Sequence, residues 1–351
     1  MIFYYIFLLL LIITLSFVNF KIDYLGNKIG IFDKPDKKRK FHAHQTPILG
    51  WLYTLVALFY LFILNFFDFN NLIFNKEVFL INNTTYLRSY FSLFIGSLLF
   101  FIIGIYDDKH SVSPNKKIFY SFLILYLLIA FDKDLLIHSF SFKNLNLSIL
   151  LENFSFSFTI LCIFFLINSL NLYDGINLQS GIFFSFIYLI FIFKGFYSEI
   201  FIFFFISNLF FLAKNYSGKI FYGDSGIYLN SFIIAYFLIK RFNTAKDLWP
   251  ELIIVIFFLP TIDLLRLFLT RIMNLKNPFY GDRFHIHHIL LGIFKNKNFK
   301  VNFILFIMLV LPYFLYDLIK LDFFISLLPT FILYLSFIIL FFNSKDKYEK
   351  N

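Results

Sequence analysis

Charge is scarce in this chain, and cysteine scarcer still. Charged residues fill 15% of the 351 positions, where soluble domains carry roughly 25%, so an ordinary soluble domain is excluded. The one cysteine, Cys162, leaves no intrachain disulfide; it lies in an apolar run, where packing is its expected role. Short strands of alternating polarity, the mark of a membrane barrel, are missing. The first apolar run, Ile2 to Phe20, lacks a basic leader and a small-residue cleavage site, so it is expected to be retained as a helix.

What the chain has in quantity is apolar sequence: 60% hydrophobic, 24% aromatic. Runs near the ~20 residues that span a bilayer recur at 2–20, 48–67, 89–106, 117–131, 154–172, 178–194, 199–214, 226–240, 250–270, 301–319 and 323–342. The predicted fold is all-α: a polytopic integral membrane protein, one domain over 1–351, with about eleven transmembrane helices. A net charge of +10 raises nucleic acid as a partner. In a membrane protein the placement of charge matters more than its sum, and no nucleic acid is expected. Lys and Arg concentrate in alternate loops: Lys21 to Lys40, Lys109 to Lys117, Lys214 to Lys219, Arg271 to Lys300, and the tail from Lys345; the other loops hold fewer, Lys240 among them. Basic loops face the cytoplasm, which places the C-terminus inside and the N-terminus outside. Residues 132–153 form a polar outer loop with room for a short amphipathic piece.

Five polar clusters interrupt the apolar sequence, and this topology puts all of them on the cytoplasmic side: Asp33 to Gly50, Gly104 to Lys117, Asn168 to Gly181, Asn215 to Gly226, and Asp263 to His288. Sharing one face argues for one site assembled from several loops and helix ends. Asp107 and Asp108 adjoin the end of an apolar run, where charge is costly. As neighbours they repel, and they call for a cation, a shared proton or a basic partner; the plain alternative is two solvated acids at a helix end. Asn168, Asn171 and Asp174 stand at i, i+3 and i+6 and share a helical face. Two amides and a carboxylate can read a base or ribose, or complete a metal shell, whereas helix capping explains Gly175 but not the stripe.

Asp224 is flanked by Gly223 and Gly226 just ahead of an apolar run. Glycines let a backbone approach phosphate, and an Asp there suits Mg²⁺ or a helix N-cap. His285, His287 and His288 follow Asp282 and Arg283 with a spacing that fits no familiar zinc pattern; a phosphate-bearing anion fits better. Arg266 and Arg271 end the preceding helix and can simply mark topology. Asp263 lies inside that helix's apolar run and is harder to dismiss. His42 sits in a basic loop whose lysines follow from orientation alone, but Asp33 and His42 do not.

In order and spacing, from about Asp33 to His288, this set resembles the polyprenyl-phosphate N-acetylhexosamine-1-phosphate transferases. That superfamily includes undecaprenyl-phosphate GlcNAc-1-phosphate transferases and phospho-MurNAc-pentapeptide translocase. The resemblance implies a phosphotransferase dependent on Mg²⁺, with Mn²⁺ as a substitute, that takes UDP-N-acetylhexosamine and polyprenyl phosphate and releases UMP. It implies a bacterial inner membrane, a cytoplasmic active site and the initiating step of a cell-envelope glycan, and it admits a homodimer. By it, Asp224 binds the metal, Asp107 and Asp108 lie beside the diphosphate and acceptor phosphate, and Lys117, or Lys116, contacts phosphate. Asn171, Asp174 and Asn215 would line the nucleotide site. His42, Asn168, Arg271, Asp282 and Arg283 are further substrate contacts, and the loop of His285, His287 and His288 resembles the N-acetylhexosamine branch. The chain departs from the pattern at Trp51, where a second glycine is usual, at Ser111, where a third acid is frequent, and at Asn177, where a second Asp is common.

The chemistry implied leaves little covalent work to the protein. Two anions must meet, so neutralisation by metal and cationic side chains dominates. A phosphate's second pKa lies near ~6, so Asp107 or Asp108 is expected to position the acceptor more than to deprotonate it. Three rivals stand beside this reading. A muramyl-pentapeptide transferase shares the chemistry. A transporter of an anionic solute would place its charges near the bilayer midplane, and a non-catalytic scaffold would tolerate loss of Asp224.

Overall fold

The computed structural model describes residues 2–33, 45–66, 83–144, 147–245, 247–278, 284–295 and 297–349. The all-α polytopic expectation holds, and every run expected to be helical is helical among these residues. Among the described residues, eight helices are long and apolar enough to cross a membrane. Two more apolar stretches, Gly50–Leu64 and Gln179–Phe193, are shorter. The chain's contacts group it into two compact units.

The first unit comprises Met1–Ile137, Asn153–Ile167 and Phe184–Ala245. It contains α1 (Ile2–Phe20), α2 (Ile22–Ile29), β1 (Phe32–Asp33), β2 (Thr46–Pro47), α3 (Gly50–Phe66), α4 (Asn83–His110) and α5 (Pro114–Phe131). Pro114 opens α5 at a position where its missing N–H costs nothing. Later in the chain come α8 (Ser198–Asn215) and α9 (Gly223–Thr244), while α6 (Ser155–Tyr173) and α7 (Gln179–Phe193) contribute residues to both units.

Helix α9 organises this unit. Every residue from Ser225 to Lys240 is buried, as expected of a helix apolar on all sides. Its one internal amide, Asn230, donates to the Gly226 carbonyl at 2.8 Å and to Thr54 at 2.9 Å, and accepts from the Tyr188 hydroxyl, so this buried amide is satisfied. Helix α4 runs antiparallel against α9, backbone to backbone at Gly104: a Cβ there would lie 2.6 Å from the Ser225 nitrogen and 2.3 Å from its Cα. Strand β1 pairs antiparallel with β2. The chain then bridges from Ile48 to Phe221, with Phe221 N donating to the Pro47 carbonyl at 3.1 Å. This stitching delivers the chain to the start of α9 and seats Asp224.

The second unit comprises His138–Glu152, Asn168–Phe183 and Lys246–Asn351. It contains α10 (Pro250–Met273), the short α11 (Ile286–Ile293), α12 (Asn298–Tyr313) and α13 (Phe323–Glu349). The outer loop expected to hide an amphipathic piece holds an antiparallel hairpin instead, β3 (Ser139–Phe142) with β4 (Leu147–Leu150), in register from Ser139↔Leu150 to Phe142↔Leu147. Asn144 ties it down, its backbone N–H donating to buried Glu251 at 3.0 Å and its amide to Asp322 at 3.0 Å.

Candidate active site

The Asp pair lies in the last turn of α4, one turn beyond the expected helix end. Its members face different partners. Asp107 is 5% exposed; one carboxylate oxygen accepts the Val112 N–H at 2.7 Å, and the other contacts the Lys117 ammonium. Lys117, in the first turn of α5, also reaches Asp224 of α9 at 2.9 Å. One ammonium thus joins two carboxylates from two other helices, 107 residues apart in the case of Asp224. Asp108 turns to α9, where its oxygens accept the Asp224 N–H at 2.9 Å, the Ser225 N–H at 3.1 Å and the Ser225 hydroxyl at 2.6 Å. It caps α9 in the strict sense, satisfying orphan donors at the positive end of the helix dipole. The α9 N–H groups, read from sequence as open to phosphate, are therefore occupied by a carboxylate of the chain itself.

The remaining expected ligand of this unit, Asn215, is buried and donates its amide to the Ile220 carbonyl at 2.7 Å. It closes the turn between α8 and α9. Trp51, at a departure from the family pattern, is housed by the same region: its indole N–H donates to the Ile48 carbonyl at 3.0 Å and its ring lies 5.0 Å from Phe101. Ser111 adopts a left-handed φ of 53° where α4 ends. A third acid is therefore absent at a backbone turn, not from the carboxylate cluster.

At their other ends the same three helices meet in a second ionic cluster. Asp132, which ends α5, is fully buried and pairs with Lys240 of α9 at 3.0 Å. Ser92 of α4 donates to Asp132 at 2.6 Å, Lys240 donates to Ser89 at 2.7 Å, and Tyr236 donates to the Ser89 carbonyl at 2.6 Å. Lys240, read from sequence as an outer-loop cation, lies inside the fold at 3% exposure.

In the second unit, α6 ends at Tyr173, so Asn168 and Asn171 lie on the helix and Asp174 just beyond it. All three are partly exposed. Asp174 leads into Gly175, where a Cβ would fall 1.9 Å from His287 Nε2: the glycine is required by the imidazole packed on it. Gln179 holds the other side, accepting the Gly175 N–H at 3.3 Å and lying 3.5 Å from His287 Nδ1. Burial, with His288 and His285 beside it, keeps His287 well below the usual imidazole range and neutral.

Asp263 is the hub of this unit. It accepts from Arg266 at 2.8 Å and from the Tyr334 hydroxyl at 2.9 Å, meets His285 Nδ1 at 3.0 Å, and caps α11 by accepting the Ile286 N–H at 3.2 Å. Of the three histidines, His285 and His287 are buried and His288 is partly exposed. Arg271 is buried and donates to the Pro278 carbonyl at 2.7 Å, which fixes the turn after α10. His42, Asp282 and Arg283 lie outside the described residues.

Among the described residues, no three His, Cys, Asp or Glu side chains gather as a closed metal cage. The donor set at Asp107 and Asp224 suits Mg²⁺, which usually takes only one or two carboxylates and leaves its other positions to water and substrate phosphate. A structural zinc site would need four protein ligands.

Residues 90–241 match the model of glycosyl transferase family 4. That segment of the chain is similar to this family. The matched segment contains Asp107, Asp108, Lys117, Asn168, Asn171, Asp174, Asn215 and Asp224, and ends before the Asp263 hub. The chain is also similar to the undecaprenyl-phosphate alpha-N-acetylglucosaminyl 1-phosphate transferase of Escherichia coli (strain K12), with 25% identity over 284 residues, 76% of this chain and 71% of the relative. The enzyme of the same name from Salmonella typhi is 25% identical over 278 residues, 75% of this chain and 70% of its own length. That from Yersinia pestis is 24% identical over the same shares. The family match and these relatives mark the chain as a glycosyl-transferring enzyme, and its helices mark it as a multi-pass membrane protein.

Proposed function

We propose that the protein transfers an N-acetylhexosamine 1-phosphate from a UDP-sugar to polyprenyl phosphate, releasing UMP. The reaction would initiate a cell-envelope glycan at the cytoplasmic face of a bacterial inner membrane. The observation that carries this reading is the convergence of Asp107, Lys117 and Asp224 from three helices, beside relatives named for this transfer. Asp107 and Asp224 would hold Mg²⁺, which when bound would neutralise the charge gathered where two phosphates meet.

The chain's own residues supply the rest. Lys117 gives a second cation at the same place, and a mobile ammonium suits phosphate as a point charge. Asp108 is a positioning residue: by capping α9 it fixes where the Asp224 backbone starts. Asn168, Asn171 and Asp174 present amides and a carboxylate suited to a nucleoside, and His288 a partly exposed imidazole suited to an anion. His285 and His287 shape that segment from within, through Asp263 and Gly175.

The test is direct. Purified protein is incubated with polyprenyl phosphate, Mg²⁺ and a panel of UDP-sugars, and UMP and lipid product are scored. UMP release that requires both the lipid and Mg²⁺, and favours UDP-N-acetylhexosamines, is expected. No UMP with any donor, from folded protein, would overturn the reading.

A further inference from the structure

We infer that Lys117 is a resident counter-cation of the Asp107–Asp224 carboxylate pair, one that a divalent cation must displace, so that metal loading is coupled to the arrival of an anionic substrate. The inference rests on the metal reading above and goes beyond it, since it gives the lysine a role before any substrate is present.

The geometry supports it in three ways. First, the ammonium stands where a bridging cation would stand, in contact with one oxygen of Asp107 and 2.9 Å from one of Asp224. Second, it can leave. The Lys117 and Asp224 side chains are 26% and 29% exposed, and a flexible four-carbon stem lets the ammonium swing without moving α5. Asp107 stays behind, because its other oxygen is held by the Val112 N–H. Third, the adjacent carboxylate is already taken. Asp108 is committed to three donors at the start of α9.

Charge then dictates the coupling. Asp108 is balanced where it sits, by the donors at the positive end of α9; the remaining two carboxylates and one ammonium carry a net charge of −1. Adding a divalent cation while the lysine stays on its helix brings the sum to +1, an unfavourable balance in a poorly solvated site. A phosphate anion restores it and gives the displaced ammonium a new partner. Metal and nucleotide should therefore each tighten the other's binding, by the same factor.

The experiment measures Mn²⁺ binding by the EPR signal of free Mn²⁺, on full-length protein in detergent, with and without UDP-N-acetylglucosamine. Wild type should bind Mn²⁺ weakly alone and more tightly with nucleotide. Lys117→Met should bind Mn²⁺ alone on the order of tenfold more tightly, lose most of the nucleotide effect, and turn over more slowly. Higher metal affinity joined to lower activity is a pairing that a merely structural lysine would not produce. Lys117→Arg should keep the wild-type metal pattern, and Lys117→Gln serves should the Met variant not fold. Unchanged or weaker Mn²⁺ binding in Lys117→Met and Lys117→Gln, where Asp224→Ala abolishes binding, would overturn this inference alone. No Mn²⁺ binding by wild type, nucleotide present, would overturn the metal reading and the inference with it.

Discussion

Helices α4, α5 and α9 carry a lysine–carboxylate cluster at each end, and the two differ in almost everything but composition. At one end Lys240 and Asp132 are 3% and 0% exposed, and serine hydroxyls complete their hydrogen bonds. At the other, Lys117 sits between two carboxylates with about a quarter of its side chain open. A buried and fully satisfied pair is locked, because releasing either charge strands the other. A half-open cluster with two acids to one base can exchange its cation. Asp134 also approaches Lys240, at 3.7 Å, so burial, more than residue type or stoichiometry, separates the joint from the candidate site.

The comparison breaks most visibly through turnover. Asp107→Asn and Asp224→Asn should each lower UMP release by about 10²–10³-fold, the usual cost of an electrostatic catalytic group, with unchanged elution on gel filtration. Near-normal rates in both would move the site elsewhere. The mirror experiment is at the other end. Lys240→Met strands Asp132 and should cost about 3–5 kcal/mol of stability in detergent. Adding Asp132→Leu should recover most of that, because an apolar pair can replace a buried ion pair. No second substitution should rescue turnover in Asp107→Asn.

Gly104→Ala tests the contact joining the two ends. Its Cβ would meet the Ser225 backbone, and overpacking should cost about 1–3 kcal/mol and lower turnover as α4 and α9 part. Asp108→Asn removes a charged cap from α9; about 0.5–2 kcal/mol of stability should go, with a smaller loss of turnover than in Asp107→Asn. The smallest effect concerns His287, a buried group with no charge partner to lock it. The unfolded imidazole takes up a proton below its ordinary 6.5 while the folded one stays neutral. Stability should therefore fall as pH drops below about 6.5, by up to ~1.36 kcal/mol per unit. His287→Gln should flatten that slope in denaturation series run between neutral and acidic pH.

Much of this could be read before any coordinates. Apolar runs of spanning length announced the helices, and the Asp107–Asp108 pair and Asp224 were each conspicuous as charge at the edge of an apolar run, whereas Lys117 followed only from the family resemblance, with Lys116 as its alternative. The division of labour inside the pair was not legible, because adjacent acids look alike until the helix end turns one toward Lys117 and the other toward α9. Lys240 was misplaced for a related reason: near a helix end, orientation statistics cannot tell a solvated cation from one paired to Asp132, which is 108 positions away. The hairpin has a short signal in the sequence, the alternation of Ser139, Phe140, Ser141 and Phe142, outweighed by the polar residues around it. Asp263 was noticed as a charge in an apolar run, but its partners come from α10, α11 and α13, and no local pattern ties them together.

The three helices are also cut to one length. From Ser92 to Asp107, from Lys117 to Asp132 and from Asp224 to Lys240, each rises about 22–24 Å between its two polar joints, at about 1.5 Å per residue. That is somewhat less than the ~30 Å hydrocarbon layer of a typical bilayer. Rods fastened to one another at both ends cannot slide individually when the surrounding lipid thickens or thins. The trio must tilt as a unit, or the lipid must deform around it. The spacing of Asp107, Lys117 and Asp224 is then set by the trio's own joints and not by the thickness of the lipid around it.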